Sequence, residues 1–159
     1  MKKVIVIIAM LLGFAVAASA QPRALGVRLG YGAELSYQHG LGTTNFVEID
    51  LGWSSVGING TASWDYILAE FGGGFDFYAG LGVEAEKCIS ATLGLIPCSE
   101  PRLQWSAETF AGLQYRLGSR TRLYFQPELS YYFTRTELVT CRTEHPLTVS
   151  LHAGLRFEL

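Results

Sequence analysis

The sequence predicts an all-β fold: an eight-stranded antiparallel up-and-down barrel whose strands cross a membrane. Apolar and polar residues alternate with a period of two over most of the chain. The apolar stripes are rich in aromatic side chains, and residues 21–159 contain a single lysine. Because a surface in water normally mixes Lys with Glu, this composition argues against an ordinary soluble domain.

Length and charge exclude several classes of protein. The 159 residues are 49% apolar and carry a formal charge of -2, which suits one compact domain. A strongly basic nucleic-acid-binding protein is excluded by the charge, and the sequence contains no phosphate-binding glycine loop or Walker motif. We therefore expect no nucleic-acid partner and no cofactor.

Residues 1–20 have the composition of a secretory signal peptide. Two lysines precede an apolar run over residues 4–18, and Ala18-Ser19-Ala20 supplies small residues around a cleavage point. The alternative is an N-terminal membrane anchor, but about 15 apolar residues are fewer than the roughly 20 that a helix needs to cross a bilayer. We expect cleavage before Gln21, export to the bacterial outer membrane, and a barrel domain over residues 21–159.

Seven alternating runs follow, each with an apolar and a polar face. They cover residues 25–38, 47–53, 58–66, 75–85, 104–117, 122–133 and 147–159. Pro127 is a defect in its run because proline cannot donate to a β-ladder. Since a single-chain outer-membrane barrel normally has an even number of strands, one run should be two strands.

The run 25–38 is the best candidate for division into a hairpin. Gly30-Tyr31-Gly32 suits a three-residue hairpin loop. In that register apolar side chains face each other on one side, and Arg28 faces Glu34 on the other. The alternative is one long strand, which would start the barrel on the wrong side of the membrane.

The connections agree with this topology, because outer-membrane barrels have short turns at one end and longer loops at the other. Residues 39–44, 69–74 and 118–120 are short connections, whereas 86–102 and 135–146 are long. The two long connections fall at the same end if the strand number is eight. We expect them to face the outside of the cell and to form the contact surface for an extracellular partner.

A soluble lipocalin-like barrel would show the same alternation with its faces exchanged. The polar stripes favour a membrane barrel, since their Gly, Ser and Gln leave room for paired charges in a narrow lumen. The apolar stripes place aromatic residues near predicted strand ends, as in the aromatic belts at lipid interfaces. These residues are Tyr37, Trp53, Trp64, Trp105, Tyr115 and Phe133. The apolar face is therefore expected to contact outer-membrane lipid.

Short motifs carry a family resemblance. Residues 26–38 read Gly-Val-Arg-Leu-Gly-Tyr-Gly-Ala-Glu-Leu-Ser-Tyr-Gln, and residues 48–52 and 77–82 are strand motifs of the same kind. In these motifs the chain resembles the small outer-membrane β-barrels of the OmpA/OmpX-like kind. At the C-terminus, Gly154, Phe157 and Leu159 resemble the Gly-x-x-aromatic-x-hydrophobic signal of the barrel-assembly machinery. The resemblance implies that this machinery is a partner, although the chain ends in Leu where Phe is usual.

The polar stripes place an acid-rich charge network inside the predicted barrel. An eight-stranded barrel is just wide enough for side chains to fill it, so we expect a plugged lumen. Arg116 and Arg122 would face each other, which is unfavourable unless an acid or a lipid phosphate lies between them. The network comprises Arg28, Glu34, Glu48, Asp50, Asp65, Asp76, Glu84, Glu108, Arg116, Arg122, Glu128 and Arg156.

We therefore predict a structural or surface-interaction barrel that is not an enzyme. The acid excess supports an alternative, a narrow channel or a solute- or cation-binding barrel, in which neutralising Glu48 and Asp50 would abolish binding of a divalent ion. A less favoured alternative is a lipid-modifying or protease-type enzyme that uses His152, which lies two residues from Ser150 on the lumen face. That placement is more often structural, so we predict no catalytic site.

The three cysteines lie in the two long connections, in a compartment that permits disulfides. Cys88 and Cys98 are the predicted pair, since their bridge would close a short loop. An alternative joins one of them to Cys141 and ties the two loops together. Cys141 and His145 could also complete a zinc site with the others, but the spacing is irregular and we predict no metal.

Overall fold

The computed structural model describes residues 23–30, 32–54, 57–88, 103–133 and 146–159. They form eight antiparallel strands in chain order, closed into a barrel, which confirms the predicted fold. No helix within these ranges is long and apolar enough to span a bilayer. The strands are β1 (Arg23–Leu29), β2 (Gly32–Gly40), β3 (Asn45–Ser54), β4 (Gly57–Phe71), β5 (Phe75–Cys88), β6 (Leu103–Arg116), β7 (Thr121–Tyr132) and β8 (Leu147–Glu158).

Some predictions concern residues outside these ranges. The signal peptide over residues 1–20 lies there, as do Cys98, Cys141 and His145. The disulfide, its alternative pairings and the zinc alternative therefore stay predictions. Cys88 is the last residue of β5.

The division of the run 25–38 into two strands is confirmed. β1 and β2 pair with Arg28 opposite Glu34 and with Val27 opposite Leu35. The amide N–H of Gly30 donates to the carbonyl oxygen of Gly32 at 3.1 Å and closes the hairpin. β1 also pairs with β8, which closes the barrel and brings both termini of the barrel to one end.

The barrel has two distinct ends. The turn end carries the start of β1, the end of β8 and the short connections 41–44, 72–74 and 117–120. The loop end carries the other four connections, including 89–102 between β5 and β6 and 133–146 between β7 and β8. β4 and β5 are longer than predicted, so the connections expected at 69–74 and 86–102 begin later in the chain. Gly73 and Gly74 form the β4–β5 turn with φ of 85° and 88°, a conformation that glycine adopts without strain.

The two faces of the sheet are arranged as in a transmembrane barrel. Leu35, Leu81 and Val149 point outward and are 66%, 67% and 68% exposed. Charged side chains point inward, and Arg28 and Asp65 are 3% and 0% exposed. The lumen is therefore polar, and the outer surface suits lipid. A lipocalin-like barrel would have the reverse arrangement.

The aromatic residues on the outer face are not all at strand ends. Trp53, Trp105 and Tyr115 lie within three residues of an end of β3 or β6, as predicted. Trp64 lies seven residues from each end of β4, so its predicted position near a strand end is wrong. The reason is that β4 continues to Phe71, beyond the alternating run 58–66.

The β6–β7 ladder is interrupted beside Pro127. Phe110 pairs with Glu128, and pairing resumes only at Leu113 and Phe125. The structure describes the whole of both strands here, and no pair forms between these two positions. The β7–β8 ladder is continuous at the same position. Proline has no N–H, so position 127 lacks the backbone donor that would otherwise bond to β6.

The charged lumen as the candidate functional site

Arg28 holds together the first of three clusters in the lumen, the Arg28 cluster of Arg28, Glu34, Asp50, Glu128 and His152. Its Nε donates to Glu34, its cross-strand partner on β2. Its Nη1 lies 3.4 Å from Asp50 Oδ2 and 3.8 Å from Glu128 Oε2. One guanidinium thus bridges carboxylates on β2 and β3, to one side of β1, and on β7, to the other side.

Neutral polar side chains extend this cluster to the other side of the lumen. Asn59 Nδ2 donates to Glu34 at 2.7 Å and to Glu84 at 3.2 Å. The hydroxyl of Ser106 donates to Glu84 at 3.1 Å. Through these bonds β4, β5 and β6 join the strands that surround Arg28.

The second cluster, the Arg156 cluster, consists of Arg156, Glu48, Tyr78 and Tyr124. Arg156 Nη2 donates to Glu48, which also accepts from Ser36. The Arg156 guanidinium carbon lies 3.7 Å from the ring centroid of Tyr124 and 5.5 Å from that of Tyr78. An arginine over a tyrosine ring gains a cation–π attraction that is strongest where water is excluded.

The third cluster, the Arg122 cluster of Arg122, Asp76, Gln114 and Glu158, lies at the turn end. Arg122 Nη1 is 3.5 Å from Asp76 Oδ2, and Nη2 pairs with Glu158. Gln114 Nε2 donates to Asp76 Oδ2 at 3.0 Å. The two acids therefore neutralise Arg122 where its cross-strand neighbour on β6 is Arg116.

Arg116 itself does not join the network, contrary to the prediction. It is the last residue of β6, its side chain is exposed, and it forms no ion pair with the described residues. The end of the strand brings it out of the lumen, while the acids that would neutralise it are engaged by Arg122.

Aromatic rings on the polar face are packed over glycines of the neighbouring strand. Tyr78 faces Gly112, Phe110 faces Gly80 and Tyr124 faces Gly154. A Cβ built on Gly112 would lie 2.6 Å from Tyr78 Cε1, and one on Gly154 would lie 2.6 Å from Tyr124 Cε1. The glycines therefore provide the space that lets large rings lie against the wall of a narrow barrel.

Sequence reasoning missed the uncharged members of the lumen. The hydroxyl of Tyr78 on β5 donates to Gln126 Oε1 on β7 at 2.8 Å. Tyr124 and Asn59 likewise complete the clusters around the arginines. An aromatic residue in a polar stripe opposite a glycine in the next stripe is the pattern that could have identified Tyr78 and Tyr124.

Several predicted network acids have no arginine partner among the described residues. Glu84 accepts hydrogen bonds from the neutral side chains of Asn59 and Ser106, and Asp65 accepts from Ser63 at 3.1 Å. Glu108 is 4% exposed, and its Oε2 has no hydrogen-bond partner among the described residues. In the described ranges no three His, Cys, Asp or Glu side chains are placed to hold a metal ion. The cation-binding alternative predicted that Glu48 and Asp50 bind a divalent ion. In the structure Glu48 pairs with Arg156, and Asp50 pairs with Arg28.

His152, Ser150 and Glu128 are close together but do not form a catalytic triad. His152 Nε2 lies 3.0 Å from Ser150 Oγ and 3.7 Å from Glu128 Oε2, so both partners contact the same nitrogen. In a triad the acid binds the other ring nitrogen. Here Nδ1 has no partner among the described residues and lies against Gly30. The histidine is packed in the wall of the barrel.

The closed antiparallel sheet, the polar lumen and the apolar outer face define the chain as an eight-stranded transmembrane β-barrel. No protein-family model matches the sequence. No curated protein matches it either.

Solved structures share the fold. The N-terminal β-barrel domain of Pseudomonas aeruginosa OprF superimposes with a TM-score of 0.63 at 14% identity, over 87% of this chain and 96% of that one. Neisserial surface protein A (NspA) gives a TM-score of 0.57 at 12% identity, over 87% and 94% of the two chains. A barrel from the de novo design of transmembrane β-barrels gives 0.51 at 14% identity, over 87% and 95%. The likeness is one of fold, and it agrees with the resemblance to small OmpA/OmpX-like barrels.

Proposed function

We propose that this chain is a bacterial outer-membrane barrel with a closed lumen, serving a structural or surface-interaction role. The observation that carries the proposal is the Arg156 cluster, in which Arg156 and Tyr78 are 1% and 0% exposed. This burial supports closure, because a continuous water-filled path beside these side chains would leave them exposed. An eight-stranded barrel is narrow enough to be filled in this way.

The three clusters support closure along the length of the barrel. The Arg28 cluster joins β1, β2, β3 and β7, and its hydrogen bonds extend to β4, β5 and β6. The Arg122 cluster narrows the turn end by joining β5, β7 and β8. An ion would have to separate several buried pairs to pass, which costs far more than crossing a water-filled pore.

The proposed orientation places the turn end in the periplasm and the loop end outside the cell. Barrels of this class have short periplasmic turns and longer extracellular loops. The connections 89–102 and 133–146 would then form the surface available to an extracellular partner. The shared fold with OprF and NspA supports the outer membrane as the location.

Recording of the purified, refolded protein in planar lipid bilayers tests closure. We expect the wild-type barrel to give no steady conductance above the lipid baseline. Replacing both rings in Tyr78→Ala/Tyr124→Ala should open a conducting path, whereas Tyr131→Ala, which changes an outward-facing ring 49% exposed, should not. A steady wild-type current that Tyr131→Ala leaves unchanged would favour the narrow-channel alternative.

Export and orientation are tested in cells. An epitope inserted within residues 89–102 should be labelled by antibody on intact cells, and one inserted in the turn 117–120 should be labelled only after the outer membrane is opened. The mass of the protein extracted from the outer-membrane fraction should correspond to a chain that begins at Gln21. Labelling of the 117–120 epitope on intact cells would contradict the proposed orientation.

A further inference from the structure

Lys87, the single lysine of residues 21–159, lies on the outer face of the barrel. It is exposed, and it belongs to the outward-facing set of β5 with Leu81 and Val83, whereas Glu86 beside it is buried on the lumen side. At the loop end no other outward-facing residue of the described strands carries a charge. A cation therefore lies on a surface that otherwise suits lipid.

The strand register shows the level of Lys87 along the barrel axis. Trp53 pairs with Ile58, Ile58 with Lys87, and Lys87 with Leu103, so these four residues form one row around the outer face. Trp105 follows two residues after Leu103 on β6. Because tryptophan is enriched where hydrocarbon meets the lipid headgroups, Trp53 and Trp105 mark this row as the headgroup level.

The ammonium group of Lys87 needs an anion at this level. It forms no ion pair with the described residues. A charge is costly on the lipid face, and the cost falls toward the interface, so the flexible stem should carry the ammonium to the headgroups. The anionic group that a membrane offers there is a lipid phosphate.

The surface next to Lys87 on the membrane side is low. Gly60 and Ala85 are cross-strand partners there, with Leu51 beside Gly60 and Trp105 beside Ala85. Leu51 and Trp105 are large and exposed, and Leu51 Cδ2 lies 3.3 Å from where a Cβ on Gly60 would be. Two small residues between two large ones leave a shallow depression that an acyl chain can occupy directly below the ammonium group.

We propose that Lys87 binds the phosphate of an outer-leaflet lipid whose acyl chain lies on Ala85. The proposal rests on the proposed orientation, which places the loop end in that leaflet. The ammonium pairs with the phosphate as a point charge, and the lysine stem and Trp105 pack against the glycolipid or glycerol part of the headgroup. One lipid would thus be held against the β4–β6 side of the barrel.

Native mass spectrometry of the whole refolded chain, released from detergent micelles, tests the phosphate contact. The probes are lipid A, a phosphorylated acyl glycolipid, and the same lipid with its phosphates removed. We expect the wild type to prefer lipid A. Lys87→Gln should weaken lipid A binding by about fivefold, the effect of one basic residue at a membrane surface, and Lys87→Arg should retain it. Arg116→Gln is the matched control, since it removes one exposed positive charge at the opposite end of the barrel.

The acyl-chain contact is tested by filling the depression. Ala85→Leu should weaken lipid A binding several-fold without removing a charge. Ala79→Leu is its control, because it adds the same side chain to the outer face of β5 away from Lys87. Gel mobility before and after boiling verifies that each variant is folded.

Equal binding of the two lipids, unchanged binding by Lys87→Gln, or an equal loss with Arg116→Gln would each overturn the proposal. Displacement of lipid A by inorganic phosphate, beyond that by chloride at the same ionic strength, would assign the site to free phosphate and overturn it too. The assay in micelles depends on neither closure nor orientation of the barrel. A failure at Lys87 therefore leaves the proposed function standing, whereas contrary epitope labelling would overturn the orientation and with it the outer-leaflet assignment.

Discussion

Arg156 shows how one residue can affect the stability of the whole barrel. It pairs with Glu48 and stacks on Tyr124, with 1% of its surface exposed. A buried ion pair adds little over a well-packed apolar pair, but removal of one partner leaves the other charge buried and uncompensated. The consequence of a substitution here therefore depends on which charge remains.

We expect Arg156→Met to lower the free energy of unfolding by about 3–5 kcal/mol, because Glu48 loses its counter-ion. Urea unfolding in lipid vesicles, followed by the gel mobility of unheated samples, measures the change. Arg156→Met/Glu48→Gln should recover part of the loss. Arg116→Met, at the exposed arginine outside the network, should change stability by less than about 0.5 kcal/mol. A double variant no more stable than Arg156→Met would show that the charge on Glu48 is not the cause.

Position 112 requires a glycine because a larger residue would collide with the ring of Tyr78, and not because of its backbone conformation. A methyl group at Gly112 would lie 2.4 Å from Cζ of the Tyr78 ring, so Gly112→Ala forces the ring or the strand to move. We expect a loss of about 1–3 kcal/mol in the same unfolding assay. Gly72→Ala is the control, since a Cβ there meets no heavy atom within 4 Å. Equal effects of the two substitutions would exclude steric contact as the explanation.

At the scale of the strands, the gap beside Pro127 leaves an acceptor on β6 without its ladder donor. Because an unpaired backbone group is expensive at membrane depth, Pro127→Val should stabilise the barrel. The expected gain is about 0.5–1.5 kcal/mol, the net contribution of one hydrogen bond.

Thermal unfolding of Pro127→Val in detergent measures that gain. Leu123→Val is the control, because it places the same side chain on the outer face of β7 without adding a donor. Only Pro127→Val should raise the midpoint. A midpoint at or below that of the wild type would mean that the proline ring supplies packing worth as much as the hydrogen bond.

The strands could be predicted from the sequence because a half-lipid, half-polar sheet requires a period of two. Their ends were less predictable, since β4 and β5 continue to Phe71 and Cys88, beyond the points where the regular alternation of apolar and polar residues stops. The register of β4 shifts between Ile67 and Ala69, which leaves Leu68 outward and 56% exposed. That irregularity is compensated by pairing with β5, which no local pattern in β4 reveals.

At the scale of the whole molecule, sequence could place the charges inside but could not pair them. Arg28 and Glu34 are hairpin neighbours, and the predicted register already set them opposite each other. Arg156 and Glu48 are 108 residues apart, on β8 and β3, and meet only because the barrel closes. Which groups meet across a lumen depends on strand tilt and closure, properties of the complete sheet.

The closing strand β8 also carries the signal proposed for the barrel-assembly machinery. Phe157 faces outward and is 47% exposed. Gly154 lies beneath Tyr124, so it also provides the space for that ring in the lumen. Phe157 can therefore be changed without disturbing the lumen. If the machinery recognises this residue, its removal should affect assembly in cells more than the stability of the finished barrel.

We expect Phe157→Ala to reduce the folded protein in the outer membrane several-fold while refolding into lipid vesicles proceeds as in the wild type. Val149→Ala, at an outward position on the same strand that is 68% exposed, loses apolar area without touching the signal and should assemble normally. Leu159→Phe, which restores the usual final residue, should raise the assembled fraction. Gel mobility before and after boiling measures it in each case. Equal losses for Phe157→Ala and Val149→Ala would assign the effect to lipid contact, since both substitutions remove outward apolar surface from β8.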